Sequence, residues 1–177
     1  EQDGRPIQAS DVVDGNEGIG PLAGDNVAAM YAMPAGATAY FGSQQRAAGK
    51  VSRFGLQIYG SAGVIELTTG YMPEVHYLED SGWSPGRSGA SWQRVSTAGI
   101  GAPEPMQNVP HYGGNLAAVT DLIAAIEEDR QPKTGVYEAR GATEMIVAVF
   151  ESARAGGRVA LPLATRVNPL ALLARPS

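Results

Sequence analysis

The residues able to do acid–base, nucleophilic or metal chemistry are few. The sequence holds two histidines, no cysteine, and lysine only at Lys50 and Lys133. Without cysteine there can be no zinc ribbon, iron–sulfur ligation, thiol nucleophile or disulfide. His76 falls in a predicted strand and His111 in a loop ahead of a helix, without the spacing that lets two imidazoles share a metal. His76 reads as a sheet histidine. His111, at a loop-to-helix junction beside Tyr112, is the better placed of the two to meet a ligand. The carboxylates of Glu79-Asp80 and of Glu127-Glu128-Asp129 are adjacent in sequence. Neighbours point in different directions, so neither run is a preformed acid–base pair, and both read as solvated surface. Lys50 lies in a Gly/Ser-flanked hairpin loop, a poor place for a desolvated base. No Gly-x-x-x-x-Gly-Lys-Ser/Thr loop occurs.

One stretch, Gly18-Ile19-Gly20-Pro21-Leu22-Ala23-Gly24, superficially resembles a phosphate-binding loop. That mechanism needs a buried strand before the glycines and a helix N-terminus after them. Only Val12-Val13 precedes the run and no helical period follows, so it reads as a turn-rich surface segment. Residue chemistry alone shows no complete catalytic apparatus.

The elements around these residues are strands first and helices last. Residues 1–24 read as an irregular entry segment with a short strand near Ile7–Val13. Asn26–Met33 and Ala37–Gln44 alternate in the strand manner around Pro34-Ala35-Gly36, and Phe54–Tyr59 and Val64–Thr69 do so around Gly60-Ser61-Ala62-Gly63. A further strand is expected at Glu74–Leu78. Glu79 to Gly113 is a long loop dense in Gly, Pro and Ser, holding both tryptophans, with a short strand at Trp92–Val95. Loops of this length are commonly functional or disordered, and large rings argue for the former by pinning the chain. Two helices follow. The first opens with Asn115 as N-cap, runs to about Asp129 and carries Leu116, Val119, Ile123 and Ile126 on one stripe. The second runs from about Val136 to Ala155 with Ala139, Ala142, Ile146, Val149 and Ala153 on one face. Gly156-Gly157 stops it, and a last strand is expected at Arg158–Leu161. The order predicts an α+β fold: a mainly antiparallel open sheet, two C-terminal helices packed on one face, and the other face available for oligomerisation.

Composition sets the outer bounds. Apolar residues make up 44% and charged residues 18% of 177 residues, which is globular rather than disordered. The net charge of −5 and the lack of any basic run argue against nucleic acid. No apolar run approaches the roughly 20 residues that span a bilayer.

Three segments resemble the C-terminal domain of the glucose–fructose oxidoreductase, inositol dehydrogenase and rhizopine-catabolism (Gfo/Idh/MocA) family. One is Arg53-Phe54-Gly55-Leu56-Gln57-Ile58-Tyr59-Gly60-Ser61-Ala62-Gly63-Val64-Ile65. Another is Ser81-Gly82-Trp83-Ser84-Pro85-Gly86-Arg87 with Trp92. The longest joins Asn115–Arg130, Pro132, Tyr137-Glu138-Ala139-Arg140, Glu144-Met145-Ile146, Phe150-Glu151-Ser152 and Gly156–Leu163. Order and spacing agree over most of residues 25–170, although no single motif is diagnostic.

The resemblance implies a two-domain parent. A Rossmann domain binds NAD or NADP, and an α+β domain shapes a sugar or polyol pocket and builds homo-oligomers. The family's Glu-Lys-Pro lysine and its Asp/His pair have no counterpart here, so this chain is expected to begin downstream of them, lacking the cofactor-binding domain, as its first residue, Glu1, also indicates. The expected division is an entry segment at 1–24, the substrate and oligomerisation domain at 25–163, and a tail at 164–177. The chain alone is expected to bind no cofactor and to be inactive, in a cytoplasmic protein without nucleic-acid or membrane partners. Polar and aromatic loop residues suit sugar hydroxyls, so Trp83, Arg87, Trp92, His111 and Tyr112 are the candidate substrate contacts. The alternative is a stand-alone, non-catalytic carbohydrate-binding or scaffold module of the same fold.

Overall fold

Alternation in the sequence becomes antiparallel pairing throughout the computed structural model, which describes residues 1–45, 55–68, 73–106, 110 and 112–174. The expectations that fall on Lys50, Arg53, Phe54, Thr69 and His111 lie outside the described residues. The fold is α+β, with antiparallel sheets and a pair of C-terminal helices that pack together. The chain divides into two units: Glu1–Ala48 with Arg130–Ser177, and the continuous segment Gly49–Asp129 inserted between them.

The discontinuous unit opens with Asp11, whose carboxylate takes two hydrogen bonds from Arg5 at 2.7 and 2.8 Å and one from the Gln8 backbone N–H at 2.8 Å. This holds Ala9–Asp11 in a 3-10 turn, so the strand expected at Ile7–Val13 shrinks to β1 (Val13–Asp14), paired with β2 (Pro21–Leu22). The glycine run thus contains a strand and leads to no helix N-terminus, and it offers no cradle for a pyrophosphate. β3 (Asn26–Ala32) and β4 (Thr38–Gln44) form a ribbon closed by Ala35 and Gly36 at φ of 59° and 82°. Tyr31 reaches from this ribbon to α3 (Val136–Ala155), donating its hydroxyl to the Met145 carbonyl at 3.1 Å.

α3 begins where the Gly135 N–H donates to the Glu138 carboxylate at 2.9 Å, and it ends at Gly156 in the left-handed conformation. Its covered line runs through Glu144, Ala148 and Ser152, not through the expected face, on which Ile146 is 61% exposed. The reason lies downstream. The strand expected at Arg158–Leu161 does not form, since no described strand edge takes it up. The chain instead turns back along α3, where Glu144 accepts from the Leu163 N–H at 2.8 Å and from Arg166 at 3.1 Å. Beyond it comes α4 (Pro169–Leu173), capped by Asn168, whose side chain accepts from the Leu170 N–H at 2.9 Å. Pro at the first helical position and Asn at the cap are the expected start signals. α4 packs on α3 and β2, burying Pro169 and Leu170, so residues read as a tail hold part of this unit's core.

The continuous unit is a five-stranded meander: β5 (Gly55–Gly60), β6 (Gly63–Thr68), β7 (Val75–Leu78), β8 (Gln93–Ser96) and β9 (Gly99–Ile100), each antiparallel to the next. A short helix, α1 (Pro85–Ser88), sits in the loop between β7 and β8. α2 (Gly113–Glu127) closes the unit. It starts two residues before the expected Asn115, with Tyr112 as an N-cap that supplies no side-chain bond. Its covered line passes through Asp121, Ala124 and Ala125, while Leu116, Val119, Ile123 and Ile126 are exposed. The helical period is as expected, but the side that finds cover is the one with small residues.

Candidate functional site

Register decides which side chains of the meander meet. Cross-strand partners share a face, and residues two apart along a strand share it too. One face carries the row Leu56, Leu67, Val75, Val95 and Ile100, one residue from each strand, beside Ile58, Ile65, Tyr77 and a single amide, Gln93. The other carries Gln57, Glu66, His76 and Arg94 in one row, beside Tyr59, Val64 and Leu78. The sheet is therefore two-sided in chemistry: apolar on one face, polar with an aromatic corner on the other.

The polar row is hydrogen-bonded at its Gln57 end. The Tyr59 hydroxyl donates to Gln57 Oε1 at 2.9 Å, and Gln57 Nε2 donates to Glu66 Oε2 at 2.6 Å. His76 follows between Glu66 and Arg94, and the Arg94 guanidinium lies 3.6 Å from the Glu74 carboxylate. Val64 and Leu78, in the next row, are buried and form the hydrophobic anchor of this unit.

The loop after β7 builds the aromatic corner. Asp80 accepts from the Gly82 N–H, the Ser84 N–H and the Ser88 hydroxyl at 2.8–2.9 Å. These hydrogen bonds, the Ser88 hydroxyl's above all, hold its carboxyl below the usual carboxylate range. The Asp80-centred turn places Trp83 at φ 54°, a conformation that bulky side chains rarely adopt. Its indole N–H donates to the Gly60 carbonyl at 2.8 Å, and its ring meets Tyr59 edge-on with centroids 5.3 Å apart at 61°. The polar edge of the indole is thereby satisfied while the residue stays 51% exposed. At the opposite side of the unit Glu104 closes the β8–β9 turn, accepting from the Thr97 hydroxyl at 2.6 Å, the Thr97 N–H at 3.0 Å and the Met106 N–H at 2.8 Å.

Of the residues singled out from the sequence, Trp83 belongs to this corner. Arg87 lies on α1, exposed, in the loop that Asp80 organises. Trp92 is exposed immediately before β8. Tyr112 is exposed at the start of α2, with no described contact to the other candidates. Sequence reasoning missed Tyr59, Gln57, Glu66 and Arg94 and set His76 aside. Alternation marked Gln57, Tyr59 and Glu66 as sharing a kind of face, but only the register lines them up with His76 and Arg94.

Among the described residues no group of histidines and carboxylates is arranged to hold a metal ion, and no helix is long and apolar enough to cross a membrane. The chain matches no protein-family model, no curated protein and no solved structure.

Proposed function

We propose that this chain is the substrate-pocket and oligomerisation domain of an NAD(P)-dependent sugar or polyol oxidoreductase, with the cofactor-binding domain on polypeptide outside this sequence. The observation that carries the reading is the Tyr59–Trp83 corner joined to the row Gln57, Glu66, His76 and Arg94. A sugar presents apolar C–H faces and rings of hydroxyls that both donate and accept. Aromatic faces match the first, and an alternation of amide, carboxylate, imidazole and guanidinium matches the second. The nicotinamide would supply the hydride, and the task of this chain is to hold the polyhydroxy compound in place.

The second face supports the oligomerisation part of the reading. Leu56, Ile58, Ile65 and Ile100 are each between 38% and 56% exposed on a continuous apolar sheet face, the kind of surface that copies of a protein cover in one another. Sedimentation is expected to give a dimer or larger; a monomer at high concentration refutes this part.

Titration of the chain with glucose, xylose, sorbitol and inositol, followed by tryptophan fluorescence, tests the binding reading. Saturable change is expected with at least one of them and none with NAD or NADP. Saturable dinucleotide binding refutes the division of labour. Sequencing upstream of the coding segment separates the oxidoreductase from a stand-alone carbohydrate module: the first requires about 150–200 further residues holding a strand, a Gly-x-Gly-x-x-Gly turn and a helix.

A further inference from the structure

The polar row has a length as well as a chemistry. Gln57, Glu66, His76 and Arg94 occupy four successive strands, and three inter-strand steps make a strip about 14 Å long. The strip is open: Gln57 and Arg94 are exposed, and Glu66 and His76 are half-buried. We propose that it binds an uncharged chain of two or three sugar units laid across the strands, with one terminal ring against the Tyr59–Trp83 corner. The proposal rests on the reading of this face as a surface for polyhydroxy ligands, and it specifies the length and charge class of that ligand.

The length argument is direct. A single sugar reaches only one or two of the four side chains, whereas a di- or trisaccharide has the extent of the whole row. The corner fixes one end. Because the Trp83 N–H is already bonded to Gly60, the exposed part of the indole that remains is hydrocarbon, suited to the C–H face of a pyranose. The charge argument comes from counting partners. Glu66 and Glu74 bring two carboxylates to this face, and Arg94, the guanidinium of the row, lies against Glu74 at 3.6 Å. Glu66 keeps a negative potential at the centre of the strip, in a chain whose net charge is −5. Uronic acids and sugar phosphates would bring like charge to that centre. Neutral hydroxyls can donate to Glu66 and accept from His76 and Arg94.

The test uses the full chain with glucose, cellobiose, cellotriose and cellotetraose, and with trigalacturonate as the charged counterpart, followed by tryptophan fluorescence and backbone amide chemical shifts. Affinity is expected to rise at least about tenfold from glucose to cellotriose and then level off, with the largest shifts in β5 to β8 and no binding of trigalacturonate. Glu66→Gln is expected to weaken cellotriose binding about tenfold, the effect of losing a charged hydrogen-bond acceptor. His76→Gln, which keeps a donor and an acceptor, is expected to weaken it less. Circular dichroism confirms that each variant folds. Equal affinity for glucose and cellotriose overturns the extended-ligand proposal and leaves the polyhydroxy reading standing. Trigalacturonate binding as tightly as cellotriose overturns the charge class. Failure of every neutral sugar and polyol overturns the underlying reading as well.

Discussion

Replacing Gly63 by alanine tests the meander at its tightest point. Gly63 has a φ of +155°, and a Cβ there would collide with the Leu78 carbonyl oxygen while lying 3.1 Å from the Leu78 carbonyl carbon and 3.2 Å from the Asp80 nitrogen. The obstacle is backbone of the neighbouring strand and the loop after it, which cannot swing aside like a side chain. Relief requires β7 to move off β6 where Val64 and Leu78, 3% and 1% exposed, pair across the ladder. Torsional strain costs about 1–3 kcal/mol and overpacking another 1–3 or so, for a combined loss of about 2–6 kcal/mol. With a urea dependence of about 2 kcal/mol per molar, the unfolding midpoint should fall by about 1–3 M. Tryptophan fluorescence is the assay, because Trp83 and Trp92 are the sole tryptophans and both belong to this unit. Gly99→Ala is the control: its φ of +121° is also unfavourable to a side chain, but a Cβ would meet nothing within 4 Å. If the two variants unfold at the same urea concentration, the close approach of β6 and β7 is refuted.

Other outcomes follow from the same contacts. Glu144→Ala should cost about 1–2 kcal/mol by stranding the Leu163 N–H, and should speed proteolysis between α3 and α4. Leu170→Ala, at a side chain 1% exposed, should cost about 2–5 kcal/mol in thermal or urea unfolding. Hydrogen bonding to Arg5 lowers the Asp11 carboxyl from 3.8 to about 2. A carboxyl depressed by folding stabilises above its unfolded value, so this contribution should be intact above pH 3.8 and vanish as pH falls toward about 2. Arg5→Ala should move that acid transition upward in a fluorescence-independent measurement such as circular dichroism. Asp80→Ala should red-shift tryptophan emission at neutral pH, by releasing the turn that seats Trp83.

What could be read from the sequence was local, and what could not was register and cover. The pairs β3–β4 and β5–β6 were legible because alternation and turn residues are both local signals, and α3 was legible from its glycine stop. The ends of α2 were misplaced because Asn115 has the chemistry of a cap but lies inside the helix, which starts at Gly113. α4 went unseen because five residues show no periodicity, although Asn168-Pro169 is a start signal in hindsight. Arg158–Leu161 has strand-like residues, yet just beyond it the Leu163 N–H and Arg166 bond to the Glu144 carboxylate, and the segment pairs with no described strand. The polar row escaped notice because its four members lie up to 37 positions apart, from Gln57 to Arg94, and only hydrogen-bond register makes them neighbours. Trp83 was recognised as a ring that pins a loop; its partner Tyr59 was hidden as one more alternating strand residue.

The interruption of one unit by the other bears on how the chain emerges during synthesis. Residues 49–129 are contiguous, and their hairpins each join segments close in sequence, so this portion can organise as soon as it leaves the ribosome. The surrounding unit cannot: the bond from Tyr31 to Met145 closes a loop of 114 positions, and Leu170 is laid down later still. Its first strands must wait for that bond until α3 has been made. A nascent polypeptide of this design is most exposed to chaperones and proteases along β3 and β4, which are made well before the helix they bond to.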